Sequence, residues 1–192
     1  MGQFPLTLSR FIIRSQAEHP GATGEFSSLL SQIGLVGKII AHDLRRAGLI
    51  NILGTTGETN VQGEVVKKLD EIANDTFLRA FQGDGLVCAL ASEEMEQIVS
   101  LPENWPQGKY MLLFDPLDGS SNTDCNMPLG AIFSVLRHSA SDRPPTENDL
   151  LKKGIEQVAA GYILFGSSTM LVYTAGHGVH GDRKSTRLNS SH

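Results

Sequence analysis

Two pairs of carboxylates carry the chemistry open to this sequence. Glu93 and Glu94 follow the apolar run Leu86–Ala91 in Ser92-Glu93-Glu94. Asp115 follows the apolar run Tyr110–Phe114, and Asp118 stands three residues later, in FDPLDGSSN at 114–122. Short apolar runs bounded by turn residues predict buried strands. If these two strands share a sheet and run the same way, four carboxylates converge at one edge. Crowded carboxylates repel and raise each other's pKa unless a cation joins them. A set of oxygen donors without His or Cys suits a hard cation, Mg²⁺ or Mn²⁺. Pro116 fixes its φ and stiffens the chain here, so the carbonyl of Leu117 can become a further ligand beside Asp115 and Asp118. Gly119, Ser120, Ser121 and Asn122 then supply successive backbone N–H groups and hydroxyls, which suit a phosphate held in a nest or at a helix start. Metal and phosphate are thus expected on one short loop. An Asp-x-x-Asp-Gly string alone is also ordinary turn chemistry. The glutamate pair behind a second strand is what favours the metal.

The elements that must position these groups are legible in outline. Residues 5–17 can form a short helix. Thr23-Gly24-Glu25 opens a longer one, in which Phe26, Leu29, Leu30, Ile33, Val36, Gly37, Ile40 and Leu44 recur at helical spacing until Gly48. Its start is either an ordinary N-cap or an anion site. Residues 51–63 read as a Gly/Thr/Asn-rich mobile loop. A third helix is expected from about Glu64 to Phe81, with Val65, Leu69, Ile72, Ala73, Phe77 and Phe81 on one stripe. Strands are expected at 86–91, 110–114, 131–136, 158–165 and 170–174, buried on both faces. Residues 139–150, with Pro144-Pro145, read as a surface loop. Helices followed by a sheet that must bury itself against them give an α/β fold.

Composition narrows the class. The chain has 192 residues, 40% hydrophobic and 19% charged, with net charge −5. No basic face is implied, which argues against nucleic-acid binding. No apolar run approaches a membrane span. The N-terminus is broken by Arg10 and Arg14 and does not read as a signal peptide. Cys88 and Cys125 are expected as buried free thiols in a reducing compartment, although a disulfide stays open. The last eleven residues, DRKSTRLNSSH at 182–192, are aperiodic and read as a non-native tail of cloning origin.

The strings SEE at 92–94 and GKYMLLFDPLDGSSN at 108–122 resemble class I fructose-1,6-bisphosphatase. The likeness extends over GEFSSLL, NVQGEVVKKLD and VAAGYILFGSSTMLVYTAG, and covers roughly 5–181. Inositol-phosphate phosphatases share the carboxylates and the Asp-Pro-x-Asp-Gly string but lack the long N-terminal helices and KKLD. The resemblance implies a layered sugar-phosphatase fold, with long helices packed on a mixed sheet. It implies Mg²⁺-dependent hydrolysis of the 1-phosphate of fructose 1,6-bisphosphate, a step of gluconeogenesis. By the same resemblance Glu93, Glu94, Asp115, Leu117 (through its carbonyl) and Asp118 are metal ligands. Asp118, Gly119, Ser120, Ser121 and Asn122 lie along the phosphate. Asp70 in KKLD helps activate water, with Glu93. Asn60 and Glu64, from a loop that closes over the metals, support catalysis; Glu64 is longer than the aspartate common in the family.

Thr23, Gly24, Glu25, Ser27, Lys109, Tyr110 and Arg137 match the family's allosteric site for AMP, an inhibitor. Ser27 stands where Thr is frequent, and Ala22 replaces a common glycine. Lys109 and Arg137 also suit solvated strand-edge charges. The resemblance further implies a cytoplasmic homotetramer whose chain continues well beyond this one. Residues 1–181 then form an N-terminal domain with the AMP site and the metal edge, and the C-terminal substrate domain is absent. The 192-residue chain is expected to have little or no activity alone. Two other readings stay open: a phosphatase of another phosphomonoester, and a non-catalytic AMP-binding fragment.

Overall fold

The computed structural model describes residues 10, 12, 24–47, 61–102, 104–119, 129–140 and 143–184, the side chains of 47, 61–67 and 184 excepted. Helix α1 spans Glu25–Ala47 and α2 spans Val61–Phe81. Seven strands follow: β1 Val87–Ser92, β2 Val99–Ser100, β3 Tyr110–Asp118, β4 Leu129–Arg137, β5 Ala159–Phe165, β6 Thr169–Thr174 and β7 His180–Lys184. A short helix, α3 (Glu147–Leu150), and a 3₁₀ turn (Gly154–Glu156) lie between β4 and β5. Of the helix expected over 5–17, Arg10 and Ile12 are described; both are helical, and Ile12 is buried.

The sheet order is β2-β1-β3-β4-β5-β6-β7. Only β1 and β3 run parallel; every other adjacent pair is antiparallel. The stripes expected for the two helices are the ones buried: Leu29, Leu30, Ile33, Val36 and Ile40 from α1, and Leu69, Ala73, Phe77 and Phe81 from α2. They cover one face of the sheet. Phe77 stacks on Phe114, ring centroids 4.4 Å apart and 15° from parallel, which ties α2 to β3. α1 approaches β5 at Gly37, where a Cβ would stand 2.6 Å from Ile163 Cδ1, so a larger residue there would push the helix off the sheet.

Three expectations change. Helix α2 starts at Val61, so the last residues of the expected loop are helical; one glycine, Gly63, costs a helix only about 1 kcal/mol. Strands β4 to β6 are buried on one face, not two: β6 alternates strictly, and Ile132 on β4 and Tyr162 and Leu164 on β5 are exposed. Both long helices lie on the same side, and the far side receives the segment around α3 and Ile98 from the segment before β2. There Leu150 packs against Cys88, Ala89, Met111 and Leu136. Finally, β2 and β7 were not foreseen. β7 (HGDRK) has no apolar pattern and is held by backbone pairing to β6, and it runs three residues past Gly181, the expected domain boundary. Residues 185–192 and Cys125 lie outside the described residues.

Cys88 is buried, and its thiol donates to the Tyr110 carbonyl at 3.2 Å. Burial pushes this thiol up to about 11. Native protein at pH 8 is expected to leave Cys88 unmodified by iodoacetamide until it unfolds. Mass spectrometry of the Cys88 peptide checks this, and alkylation at the rate of a free thiol would contradict it.

Candidate active site

The parallel register of β1 and β3 builds the site. Ser92 lies opposite Phe114, so the two chains leave the paired region side by side. The Glu93 N–H still donates to the Phe114 carbonyl at 3.0 Å, and the Met95 N–H closes a turn onto the Ser92 carbonyl at 3.2 Å. Glu93 and Glu94 sit on that turn, both exposed, next to Asp115.

Asp115 does not stand beyond the strand, as the end of the apolar run suggested. β3 continues to Asp118, with a bulge: Asp115 pairs with Ile132 and Asp118 with Gly130, so three steps on β3 oppose two on β4. Pro116 sits in the bulge, where its missing N–H removes no ladder bond. The Leu117 N–H donates to Asp115 Oδ1 at 3.1 Å, which turns that carboxylate back on its own loop. Pro116 and Leu117 are buried, and Asp118 is exposed. Gly119 has φ +84°, a left-handed conformation that favours glycine and redirects the chain towards the expected phosphate loop. Ser120, Ser121 and Asn122 lie outside the described residues.

Helix α2 brings a fifth carboxylate. Asp70 and Asn74 are one turn apart on one stripe. Ser92 Oγ donates to Asn74 Oδ1 at 2.7 Å, and this bond ties the stripe to the end of β1. Asn74 was missed in the sequence; its spacing of four from Asp70 was the available signal. Glu94 is raised above the ordinary carboxylate range by partial burial first, then by the charges of Asp70, Glu93 and Asp115. Asp115 is raised by burial, opposed by the Leu117 N–H, and raised again by Asp118 and Glu93. Asn60 and the Glu64 side chain lie outside the described residues.

The donor chemistry, oxygen only and crowded, fits a hard divalent cation, which would relieve this repulsion. Among the described residues no group of three or more His, Cys, Asp or Glu side chains stands close enough to hold a metal ion. A shallow groove on the sheet face away from the two long helices begins at Ser92, Glu93 and Asp115 and runs over Ile132, Ser134 and Tyr162 to Val172 and Val179.

A second constellation gathers at the start of α1. Gly24 precedes it with φ +81°, and its carbonyl accepts the Ser28 N–H at 2.9 Å. Lys109 pairs with Glu25 and lies 5.7 Å from the Tyr110 ring centroid. Phe26 and Tyr110 approach at 6.1 Å, and Arg137 is directly opposite Tyr110 in the β3–β4 register. Ser27 is on the first turn, where its carbonyl accepts Ser31 Oγ at 2.8 Å. Lys109, the Tyr110 ring and the start of α1 therefore meet, and Arg137 lies across the strand pair from Tyr110. Thr23 lies outside the described residues. No helix among the described residues is long and apolar enough to cross a membrane.

This architecture, a mixed sheet covered on one face by two long helices, is that of solved fructose-1,6-bisphosphatases. Residues 6–187 match the family model "Fructose-1-6-bisphosphatase, N-terminal domain". A class 1 fructose-1,6-bisphosphatase of Maridesulfovibrio salexigens is 50% identical over 177 residues, 92% of this chain and 52% of that relative. One from Trichodesmium erythraeum is 55% identical over 175 residues, 91% of this chain and 49% of that relative. The crystal structure of Leishmania major fructose-1,6-bisphosphatase in holo form superposes with a TM-score of 0.81 at 37% identity, over 95% of this chain and 55% of that one. The chain belongs to the fructose-1,6-bisphosphatase family and corresponds to its N-terminal domain. It spans about half the length of the curated relatives it matches.

Proposed function

We propose that this chain is the metal-binding and regulatory half of a phosphatase that hydrolyses the 1-phosphate of fructose 1,6-bisphosphate, giving fructose 6-phosphate and inorganic phosphate in gluconeogenesis. The parallel register that sets Glu93 and Glu94 beside Asp115 and Asp118 carries this reading. Glu93, Glu94, Asp115, Asp118 and the Leu117 carbonyl would hold Mg²⁺, with Mn²⁺ as a substitute. When bound there, the metal acidifies water and neutralises phosphoryl oxygens. Asp70, half-buried and near Glu94, accepts a proton from the attacking water, with Glu93. The backbone N–H groups from Gly119 to Asn122 orient the phosphate, and Asn60 and Glu64 help exclude solvent from it. AMP binds at the start of α1, its phosphate on Lys109 and Arg137 with Thr23, Gly24, Glu25 and Ser27 nearby and Tyr110 behind, and inhibits.

The sugar contacts belong to the half of the relatives that lies beyond this chain, and that half covers the sheet face away from the two long helices. The full-length protein is a cytoplasmic homotetramer, and this chain alone is inactive or nearly so.

Phosphate release from fructose 1,6-bisphosphate, followed colorimetrically, tests the reading. The protein extended to its relatives' length is expected to turn over with Mg²⁺ and to be inhibited by AMP. The 192-residue chain is expected to be at least about a hundredfold slower, because positioning alone is worth that much. Brisk turnover by the short chain contradicts its inactivity. A preference of the long protein for inositol phosphates contradicts the substrate.

A further inference from the structure

The segment Arg143–Lys152 closes on a single carboxylate. Arg143 Nη1 and Nη2 donate to the two oxygens of Asp149 at 2.7 and 2.8 Å. The Thr146 N–H and Oγ1 both donate to Asp149 Oδ2 at 2.8 Å. His138 Nε2 stands 3.9 Å from the same oxygen, its side chain only 8% exposed. Arg143 first, then Thr146, holds the Asp149 carboxyl well below the usual range, so the clamp stays charged at any working pH.

What the clamp restrains is the end of β4. Leu150 packs on Met111 and Leu136 behind the sheet. Lys152 Nζ donates to the Arg137 carbonyl at 2.6 Å, and the His138 N–H donates to the Lys109 carbonyl at 3.0 Å. The backbone that carries Arg137 is thus tied from one side by the clamped segment and from the other by the residue that carries Lys109. Arg and Lys side chains are long, and what limits their reach to an anion is where their backbone is fixed.

We propose that Asp149 is a positioning residue: through the 143–152 segment and His138 it fixes the backbone from which Arg137 and Lys109 reach the anion site at the start of α1. This rests on the reading of that site as one for AMP. Lys109 and Arg137 touch the ligand, and Asp149 acts only through them.

Asp149→Asn removes the ionised acceptor, and Arg143→Lys keeps the charge while breaking the two-pronged bond. Both are made in the 192-residue chain. Amide hydrogen exchange by NMR is expected to quicken roughly tenfold at His138 in each, with the β5 amides unchanged, since a local tie is lost. In calorimetric titration, AMP is expected to bind Asp149→Asn about fivefold more weakly, and this loss is expected to shrink in an Arg137→Ala background, where only the Lys109 share remains. Unchanged exchange at His138, or a fall in protection shared equally by β5, overturns the proposal. So does an AMP loss that persists in full without Arg137. A wild-type chain that binds no AMP removes the anion reading instead and with it the ligand role of Asp149. Exchange at His138 then still decides whether Asp149 holds the β4 end.

Discussion

Asp115→Asn is expected to cut Mg²⁺-dependent phosphate release by the full-length protein on the order of 10²–10³-fold. The same substitution is expected to raise the melting temperature of the metal-free 192-residue chain by roughly 1–3 °C. The opposite signs share one cause. Asp115 lies in a β3 bulge, turned back by the Leu117 N–H, and shares its surroundings with Asp118 and Glu93. Together with partial burial, those neighbours raise it above the ordinary carboxylate range, which means that its charge is a burden on the folded chain without a cation. Asparagine keeps the shape and the acceptor for Leu117 but removes that charge. The repulsion is relieved, and the ligand goes with it. A residue whose removal helps the fold and harms the reaction is the signature of a binding site. Thermal denaturation in EDTA beside a phosphate assay checks both halves. A lower melting temperature together with full activity would contradict the account.

Phe77→Ala is expected to destabilise the chain by about 3–5 kcal/mol, which is a fall in melting temperature of roughly 10 °C or more. Phe77 is fully buried and stacks on Phe114, the residue immediately before Asp115. It is also on the stripe of α2 that carries Asp70 and Asn74. Its loss leaves a cavity between helix and sheet at the point where the helix presents Asp70 to the strand ends. Phe77→Leu refills much of the volume and is expected to recover more than half of the loss. Circular dichroism melts of the three proteins decide this. A cost below about 1 kcal/mol for the alanine variant would show that α2 is not held on β3 by this stack.

Both variants bear on how much of the molecule can be read from its residues. The helices were legible because their apolar stripes have one period and one face: Leu29, Leu30, Ile33, Val36 and Ile40, and Leu69, Ala73, Phe77 and Phe81, are buried, with Ile72 half-buried at the margin. The strand ends were legible for a simpler reason. Short apolar runs followed by carboxylates mark Glu93, Glu94 and Asp115, and a shared direction for β1 and β3 brings them together, although β3 itself continues through buried Pro116 and Leu117 to Asp118. What stayed hidden depends on partners distant in sequence. β7 has a polar composition and exists through its hydrogen bonds to β6. The bulge at Pro116 is set by the register of β4, which no local string reports. Exposure of Ile132, Tyr162 and Leu164 follows from both long helices packing on one side, whereas their residue types alone read as core. Asn74 looks like any polar helix residue until Ser92 is placed beside it.

Titration of Mn²⁺ into the 192-residue chain, read by calorimetry, tests most directly whether the carboxylate edge of β1 and β3 is a metal site. Saturable binding is expected in the wild type. Asp115→Asn and Glu94→Gln are each expected to weaken it at least about tenfold, and Asp149→Asn, at the other end of the sheet's strands, is expected to leave it unchanged. Binding of equal strength in the wild type and in the Asp115 and Glu94 variants would contradict the assignment, and so would a wild-type chain that takes up no Mn²⁺.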